Sequence, residues 1–374
     1  MTTSRKPILV SELKRTSLYE THKAAGATLV PFAGWEMPVS YPLGTVKEVA
    51  ATRTGAGLFD VSHMGEFRIH GGDARDFVQR LTTNDARALF PGKAQYSLLL
   101  NEDGGIIDDI IVYCRALHDY TLVVNAGRKE QDWRWLEAES EQSLDRTLYG
   151  HLEDLSDQTA LLAVQGPAAV GLVAGLCVPE VATLARFEFG YGPVGGVLCI
   201  LSRTGYTGED GYELFCPWDD APALWDKLTA AGAVPCGLGA RDVLRLEAAY
   251  PLYGHELDDA HTPAESGVAW AMKRKDVVVM GQDAARARPV SQTLVGLRMD
   301  ERAIPREGCA VLGDDGTPVG SVTSGTYSPT VKAGIAMARL DKTHAAIGTR
   351  VIVDIRGRQA GAVVVRLPFY RNGV

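Results

Sequence analysis

No uninterrupted apolar run in this 374-residue chain approaches the roughly 18 residues that a bilayer-spanning helix needs, so a helical membrane protein is not expected. Paired cysteines are missing too. Cys114, Cys177, Cys199, Cys216, Cys236 and Cys309 are scattered, with no CxxC and no histidine at ligand spacing, which argues against a disulfide framework or structural zinc. Excess positive charge is absent: 38 basic against 46 acidic residues leave a net charge of −8, so neither a nucleic-acid binder nor a polybasic membrane binder is expected. There is no Walker A and no HExxH. Gly190-Tyr-Gly-Pro-Val-Gly-Gly196 superficially evokes a dinucleotide loop, but Pro193 and the lack of a following amphipathic helix argue against one. The first dozen residues have neither a secretory apolar core nor a long Arg/Ser-rich presequence. The expectation is a chain with reduced thiols in the cytoplasm.

What is present reads as globular: 46% hydrophobic and 22% charged residues, in more chain than one core usually accommodates, predict two or three domains. Thr45-Val-Lys-Glu48 has capping-box spacing, with a helix running to Arg53. Asp73-Ala-Arg-Asp76 opens another, carrying Phe77, Val78 and Leu81 on one side. A hairpin follows, from Tyr96–Leu100 through Asn-Glu-Asp-Gly-Gly105 into Ile106–Tyr113, and a further strand, Tyr120–Val124, ends at Asn125. Asp220 and Pro222 start a helix bearing Leu224, Trp225 and Leu228 that stops at Gly232. Another runs from about Ala240 to near Tyr250, because Pro251 lacks the amide needed to continue. After the Arg/Ala/Pro stretch at 284–289 come short strands: Thr293–Arg298, Ala310–Leu312, Val319–Thr323, Arg350–Ile355 and Ala362–Arg366. These suggest a small antiparallel barrel. Helices followed by a strand meander indicate α+β layers and not a doubly wound sheet.

Three segments could carry chemistry. Asp108 and Asp109 sit among isoleucines in a run with strong β preference, so their side chains are expected on opposite strand faces, one of them toward an apolar interior. An unpaired carboxylate there costs several kcal/mol or shifts its proton affinity. It is either a paired structural aspartate or a carboxylate aimed at a cationic reaction centre. Arg203 through Glu213 packs three glycines, two tyrosines and three carboxylates into eleven residues, suited to holding a flat heterocycle or merely to decorating a hairpin. Gly237-Leu-Gly-Ala-Arg241-Asp242 puts an arginine at a helix start, where the macrodipole disfavours a cation, so Arg241 needs another reason. Arg245 lies one turn on and could share its face, for an anion or for solvent. Ser62-His63 has no triad signature, and His63 reads as a packed histidine.

Phe32-Ala-Gly-Trp-Glu-Met-Pro38, Phe59-Asp-Val-Ser-His-Met-Gly-Glu66, Asn101 through Tyr113, Val124-Asn-Ala126, Gln165-Gly-Pro167, Arg203 through Glu213, Gly237 through Glu247 and Val322 through Pro329 together resemble the aminomethyltransferase (T-protein) family of the glycine cleavage system. The resemblance runs from about Leu13 to Pro368-Phe-Tyr-Arg371. It implies a three-domain cloverleaf around a central folate channel, with a C-terminal antiparallel β-barrel. The expected domains are 1–52 plus about 138–220, about 53–137 plus 221–283, and 290–374. Tetrahydrofolate is the implied acceptor substrate and lipoylated H-protein the implied partner. No metal, flavin or nicotinamide is implied. Asp109 resembles the catalytic aspartate, placed to orient the attacking folate nitrogen, manage its proton and stabilise the cation left as ammonia departs. Glu213, Tyr206 and Arg241 resemble pterin contacts. Tyr96, Tyr113, Asn125 and Met64 resemble channel-lining positions, and Tyr370 and Arg371 are expected near the ligand's tail. Lys273-Arg274-Lys275 is the basic cluster expected to dock an acidic carrier. The rival enzyme on this fold is a folate-dependent demethylase, and a non-catalytic folate-binding regulator is the rival of another class.

Overall fold

The computed structural model describes residues 13–142, 152–177, 183–273 and 277–372. Helix α1 (Tyr19–Ala24) precedes a two-stranded sheet of β1 (Thr28–Phe32) and β2 (Trp35–Ser40). Helix α2 (Thr45–Thr54) follows, then β3 (Gly57–Asp60), β4 (Gly65–His70) and α3 (Ala74–Leu81). The expected capping box does not form: Gly44 is the N-cap of α2, with no side-chain cap. Glu48 instead turns inward and accepts from the amides of Tyr41 (2.7 Å) and Gly237 (3.0 Å). Spacing alone cannot separate a local cap from a tertiary acceptor.

Next come β5 (Lys93–Leu100), β6 (Ile106–Ala116), β7 (Asp119–Val124), α4 (Lys129–Gln142) and β8 (Leu152–Asp154). They join β4 in a five-stranded antiparallel sheet ordered β5-β6-β7-β4-β8. Strand alternation sends Ile110 and Val112 to one face, under Phe77, Val78 and Leu81 of α3 and Leu136 of α4. Ile111 and Tyr113 go to the other.

The chain then forms β9 (Thr159–Gln165), α5 (Ala169–Ala174), β10 (Phe189–Val194), β11 (Val197–Ser202), β12 (Gly211–Pro217), α6 (Ala221–Ala230), β13 (Val234–Pro235) and α7 (Leu238–Glu247). These strands and β3 make a six-stranded sheet, β10-β11-β12-β9-β3-β13, whose only parallel pair is β3 with β13. The glycine-rich 190–196 stretch is its β10–β11 hairpin, turning at Gly195 and Gly196, both at positive φ. Leu224, Trp225 and Leu228 of α6 cover one face. The other meets the first sheet: Phe59, Leu161, Ala163 and Phe215 pack with Tyr113 and Val123 in one core.

After α8 (Gln282–Ala287), β14 (Gln292–Met299), β15 (Ala310–Leu312), β16 (Pro318–Ser328), β17 (Ala333–Asp341), β18 (Arg350–Ile355) and β19 (Arg358–Val365) close the expected barrel, ordered β14-β17-β16-β15-β18-β19. Strand β17 escaped sequence reading. It is buried along nearly its whole length and alanine-rich, so it shows no period-2 pattern. The barrel docks on α7 through Leu246 against Ile335 and Met337.

Strand pairing links distant segments of the first 283 residues. β3 pairs with β9, so the six-stranded sheet takes in chain past residue 52. β8 pairs with β4, lending the five-stranded sheet a strand from the 138–220 segment. α6 covers the six-stranded sheet, and only later residues such as Leu257, Val268 and Ala271 pack on Leu98, Leu100 and Ile106. Apolar runs identify strands but not which sheet recruits them.

Candidate functional site

Asp109 is set by the hairpin that leads into β6. Gly104 turns at φ +83°, and a Cβ there would lie 2.4 Å from the backbone nitrogen of Ala285, so no larger residue fits. The register then slips: Leu99 faces Asp108 but Leu100 faces Ile106, leaving Ile107 as the extra residue of a bulge. Asp108 and Asp109 leave opposite faces of β6, as expected from alternation. Yet one side chain reaches both. Asn125, just past β7, donates from Nδ2 to Asp109 Oδ1 (2.8 Å) and to Asp108 Oδ1 (2.9 Å), and from its backbone nitrogen to Asp108 Oδ2 (2.9 Å).

Tyr96 on β5 stands beside Asp109 on the same face. Its hydroxyl is buried without a well-aligned hydrogen bond, but lies close enough to Asp109 to lower the carboxyl's proton affinity. Two larger effects oppose it. Burial first, and the neighbouring Asp108 second, push Asp109 up to about 7. A carboxylate poised there can hold or release a proton near neutrality.

Across from it, Tyr206 lies within the electrostatic reach of Asp109. Its hydroxyl donates to the carbonyl of Pro251, and its ring stacks on Tyr250. The Arg241 guanidinium sits over that ring, 4.7 Å from the centroid. Arg241 and Arg245, one turn apart, have separate fates. Arg245, 2% exposed, is consumed by Asp242 (2.8 Å), Glu256 (2.9 Å) and Ser324 (2.8 Å). Arg241 has no ion pair within 4.0 Å among the described residues. Burial lowers its proton affinity while Glu213 and Tyr206 raise it. Glu213 on β12 accepts from Thr204 (2.5 Å), whose hydroxyl also meets that of Tyr113 (3.3 Å). Burial raises the Glu213 carboxyl, against the opposing pull of Thr204 and then Arg241. The site thus gathers Asp109, Tyr96, Asn125, Tyr206, Arg241 and Glu213.

The other expected residues are placed differently. Tyr113 is a buried core residue, edge-on to Phe189 and Phe215, and meets the site through the Thr204 hydroxyl and the nearby Glu213 carboxylate. Met64 is half-buried against the same inter-sheet core. Tyr370 covers Arg53, with 4.0 Å from guanidinium to ring centroid, and its backbone nitrogen donates to Glu247. Arg53 in turn pairs with Glu209 (2.8 Å) and Glu247 (2.7 Å). Tyr370 therefore pins the C-terminal tail to α2 and α7. Arg371 is exposed. Lys273 is exposed too, while Arg274 and Lys275 lie outside the described residues. His63 is buried and kept neutral by burial, its proton affinity down to about 4.

Sequence reasoning missed Trp270, which is 58% exposed and stacks on Tyr96 at 5.1 Å, and Asp132 on α4, buried behind Asp108. Neither lies in a motif, since what links them to the site is tertiary packing. A carboxylate on the buried face of a helix, in register with Trp133 and Leu136, was the available signal for Asp132.

Residues 18–276 match the family described as the GCVT N-terminal domain, and residues 292–371 match the glycine cleavage T-protein C-terminal barrel domain. An aminomethyltransferase of Geobacillus kaustophilus is 47% identical over 370 residues, covering 96% of this chain and 99% of the relative. One from Bacillus subtilis is 43% identical, with 96% and 100% covered. The crystal structure of glycine cleavage system aminomethyltransferase T from Bartonella henselae superposes with a TM-score of 0.88 at 35% identity, covering 96% of this chain and 98% of that one. With both family matches and full-length relatives at this identity, the chain belongs to the glycine cleavage T-protein family.

Proposed function

We propose that this chain is the aminomethyltransferase of the glycine cleavage system. It moves the methylene carbon of the S-aminomethyl-dihydrolipoyl group on H-protein to tetrahydrofolate. The products are 5,10-methylene-tetrahydrofolate, ammonia and dihydrolipoyl H-protein. The observation that carries the chemistry is Asp109, held by Asn125 and raised to about 7, with Tyr206 nearby and over its ring Arg241, which has no ion pair within 4.0 Å among the described residues. Asp109 orients the attacking folate nitrogen, accepts or returns its proton, and offers negative charge to the cationic carbon as ammonia leaves. Arg241, Glu213 and Tyr206 hold the pterin: a cation, a carboxylate for its N–H edge and a flat ring. Asn125 and Tyr96 fix Asp109, and Met64 and Tyr113 shape the wall. Arg371, exposed beside the tail pinned by Tyr370, is the remaining candidate for the folate's carboxylates.

Among the described residues no helix is long and apolar enough to cross a membrane. We place the reaction in the cytoplasm, where H-protein docks near Lys273, Arg274 and Lys275. Reversing Lys273 and Lys275 raises KM for H-protein and flattens its salt dependence, while folate affinity stays put. An unchanged salt response removes this cluster from the docking surface. The decisive assay compares aminomethylated H-protein with methylated small molecules as donors to tetrahydrofolate. Turnover with H-protein alone is expected. Turnover confined to the small donors overturns the reading.

A further inference from the structure

We infer that Asp132 is a positioning residue of this site: its carboxyl keeps a proton at neutral pH, donates it to Asp108, and so leaves one negative charge, not two, behind Asp109. The inference rests on Asp109 being the reacting carboxylate.

Asp132 lies in α4, on the face packed against β6, and is fully buried. Neither of its oxygens meets an N–H or O–H donor among the described residues; its polar neighbour is the carboxyl of Asp108. Asp108 is fully buried as well, and both its oxygens already accept from Asn125. Two bare carboxylates in such a place repel strongly and lack solvation, so the pair is stable only with a shared proton. No charged group among the described residues bonds Asp132 in place of that proton. Arg128, one turn earlier, pulls on both carboxyls but pairs with neither within 4.0 Å; its guanidinium reaches Asp259 (3.3 Å) and lies 4.6 Å from the Tyr253 ring centroid, and its pull is outweighed by burial and by Asp108. Tyr96 and Tyr253 are neutral, both raised by burial, and Asp109 adds only more negative charge. Among the described residues no three His, Cys, Asp or Glu side chains are grouped to hold a metal ion. The proton sits on Asp132, which burial first and Asp108 second raise to about 11. Asp108, ionised by that hydrogen bond, is then a fixed acceptor for both nitrogens of Asn125. The Asn125 amide is thereby held with Nδ2 toward Asp109.

The test uses the full-length protein. A difference infrared spectrum of the parent against Asp132→Asn at pH 8 should show one protonated-carboxyl C=O band lost, with other buried acids such as Glu66 cancelling. This measurement needs no turnover, so it stands even if the aminomethyl-transfer reading fails. Asparagine can still donate to Asp108, so Asp132→Asn should keep kcat within about threefold and leave the acid limb of its pH profile in place. Asp132→Ala removes the donor, and Asp108 then takes up the proton itself. Asp109 loses the neighbouring charge, so the acid limb should move to lower pH. The plateau kcat should fall at least tenfold, with KM for tetrahydrofolate within about twofold. The absence of a lost carboxyl band in Asp132→Asn, or an Asp132→Ala variant with parental kcat and pH profile, overturns the inference.

Discussion

The Asn125 side-chain amide donates to Asp109 Oδ1 at 2.8 Å, which fixes the carboxylate from the end of a neighbouring strand. Replacement of that carboxylate by an amide keeps shape and loses charge. Asp109→Asn is therefore expected to lower kcat by two or more orders of magnitude, with tetrahydrofolate affinity changed only a few-fold, because the charge matters chiefly as cation develops. Single-turnover kinetics beside equilibrium titration separate the two. A variant with near-parental kcat would falsify the assignment.

The same carboxyl should leave a mark on stability. Its folded proton affinity, about 7, lies above the unfolded carboxylate's roughly 3.9, so the native state binds more protons across that interval. Stability is thus lost as pH rises from about 4 through 7, and the full cost persists above. Asp109→Asn removes the cost. It should melt higher than the parent at pH 8, with the advantage vanishing toward pH 4. Partial water access to this site trims the gain to about 1–3 kcal/mol. Equal melting temperatures at pH 8 would show that Asp109 carries no such burden.

Arg241 and Arg245 should separate in experiment as they do in space. Arg245→Ala strands Glu256, which is fully buried, and should cost about 3–5 kcal/mol of stability. Arg241→Ala breaks no ion pair among the described residues and should leave denaturant midpoints nearly unmoved, while weakening a tetrahydrofolate analogue roughly 10- to 150-fold. If calorimetry finds the reverse pattern, the two roles have been exchanged.

Glu213 should behave like Arg241 in binding. Truncation to alanine removes a charged acceptor from the site, and a loss of about 1.5–3 kcal/mol in analogue affinity is expected. Thr204 and Tyr113 remain to hold the local fold, so a folded variant with an unchanged dissociation constant would reduce Glu213 to a structural role.

Legibility in the sequence followed range. The β5–β6 hairpin, α6 and five of the barrel strands announced themselves through local alternation, turn residues and caps. Asp109 and the Arg203–Glu213 loop stood out because charge inside an apolar or glycine-rich run is costly without a purpose. What stayed hidden depends on partners distant in sequence. Glu48 looked like a cap but bonds Gly237, 189 residues away. The cover that Tyr370 gives Arg53 spans most of the chain and left no local mark. β3 and β8 pair with β9 and β4 far along the chain, since alternation fixes which way a strand faces and not which neighbour it takes.

Arg53 also sets an order of events during synthesis. Its partner Glu247 is 194 residues further along, and the ring that covers it, Tyr370, lies further along still. A nascent chain that has emerged only through the first sheet carries this cation with neither counter-charge in place, and burying it bare would be prohibitive. The region around α2 must therefore stay open until translation passes Glu247, and it is sealed only when Tyr370 arrives. Closure around Arg53 thus depends on partners distant in sequence, the kind of non-local contact that forms late.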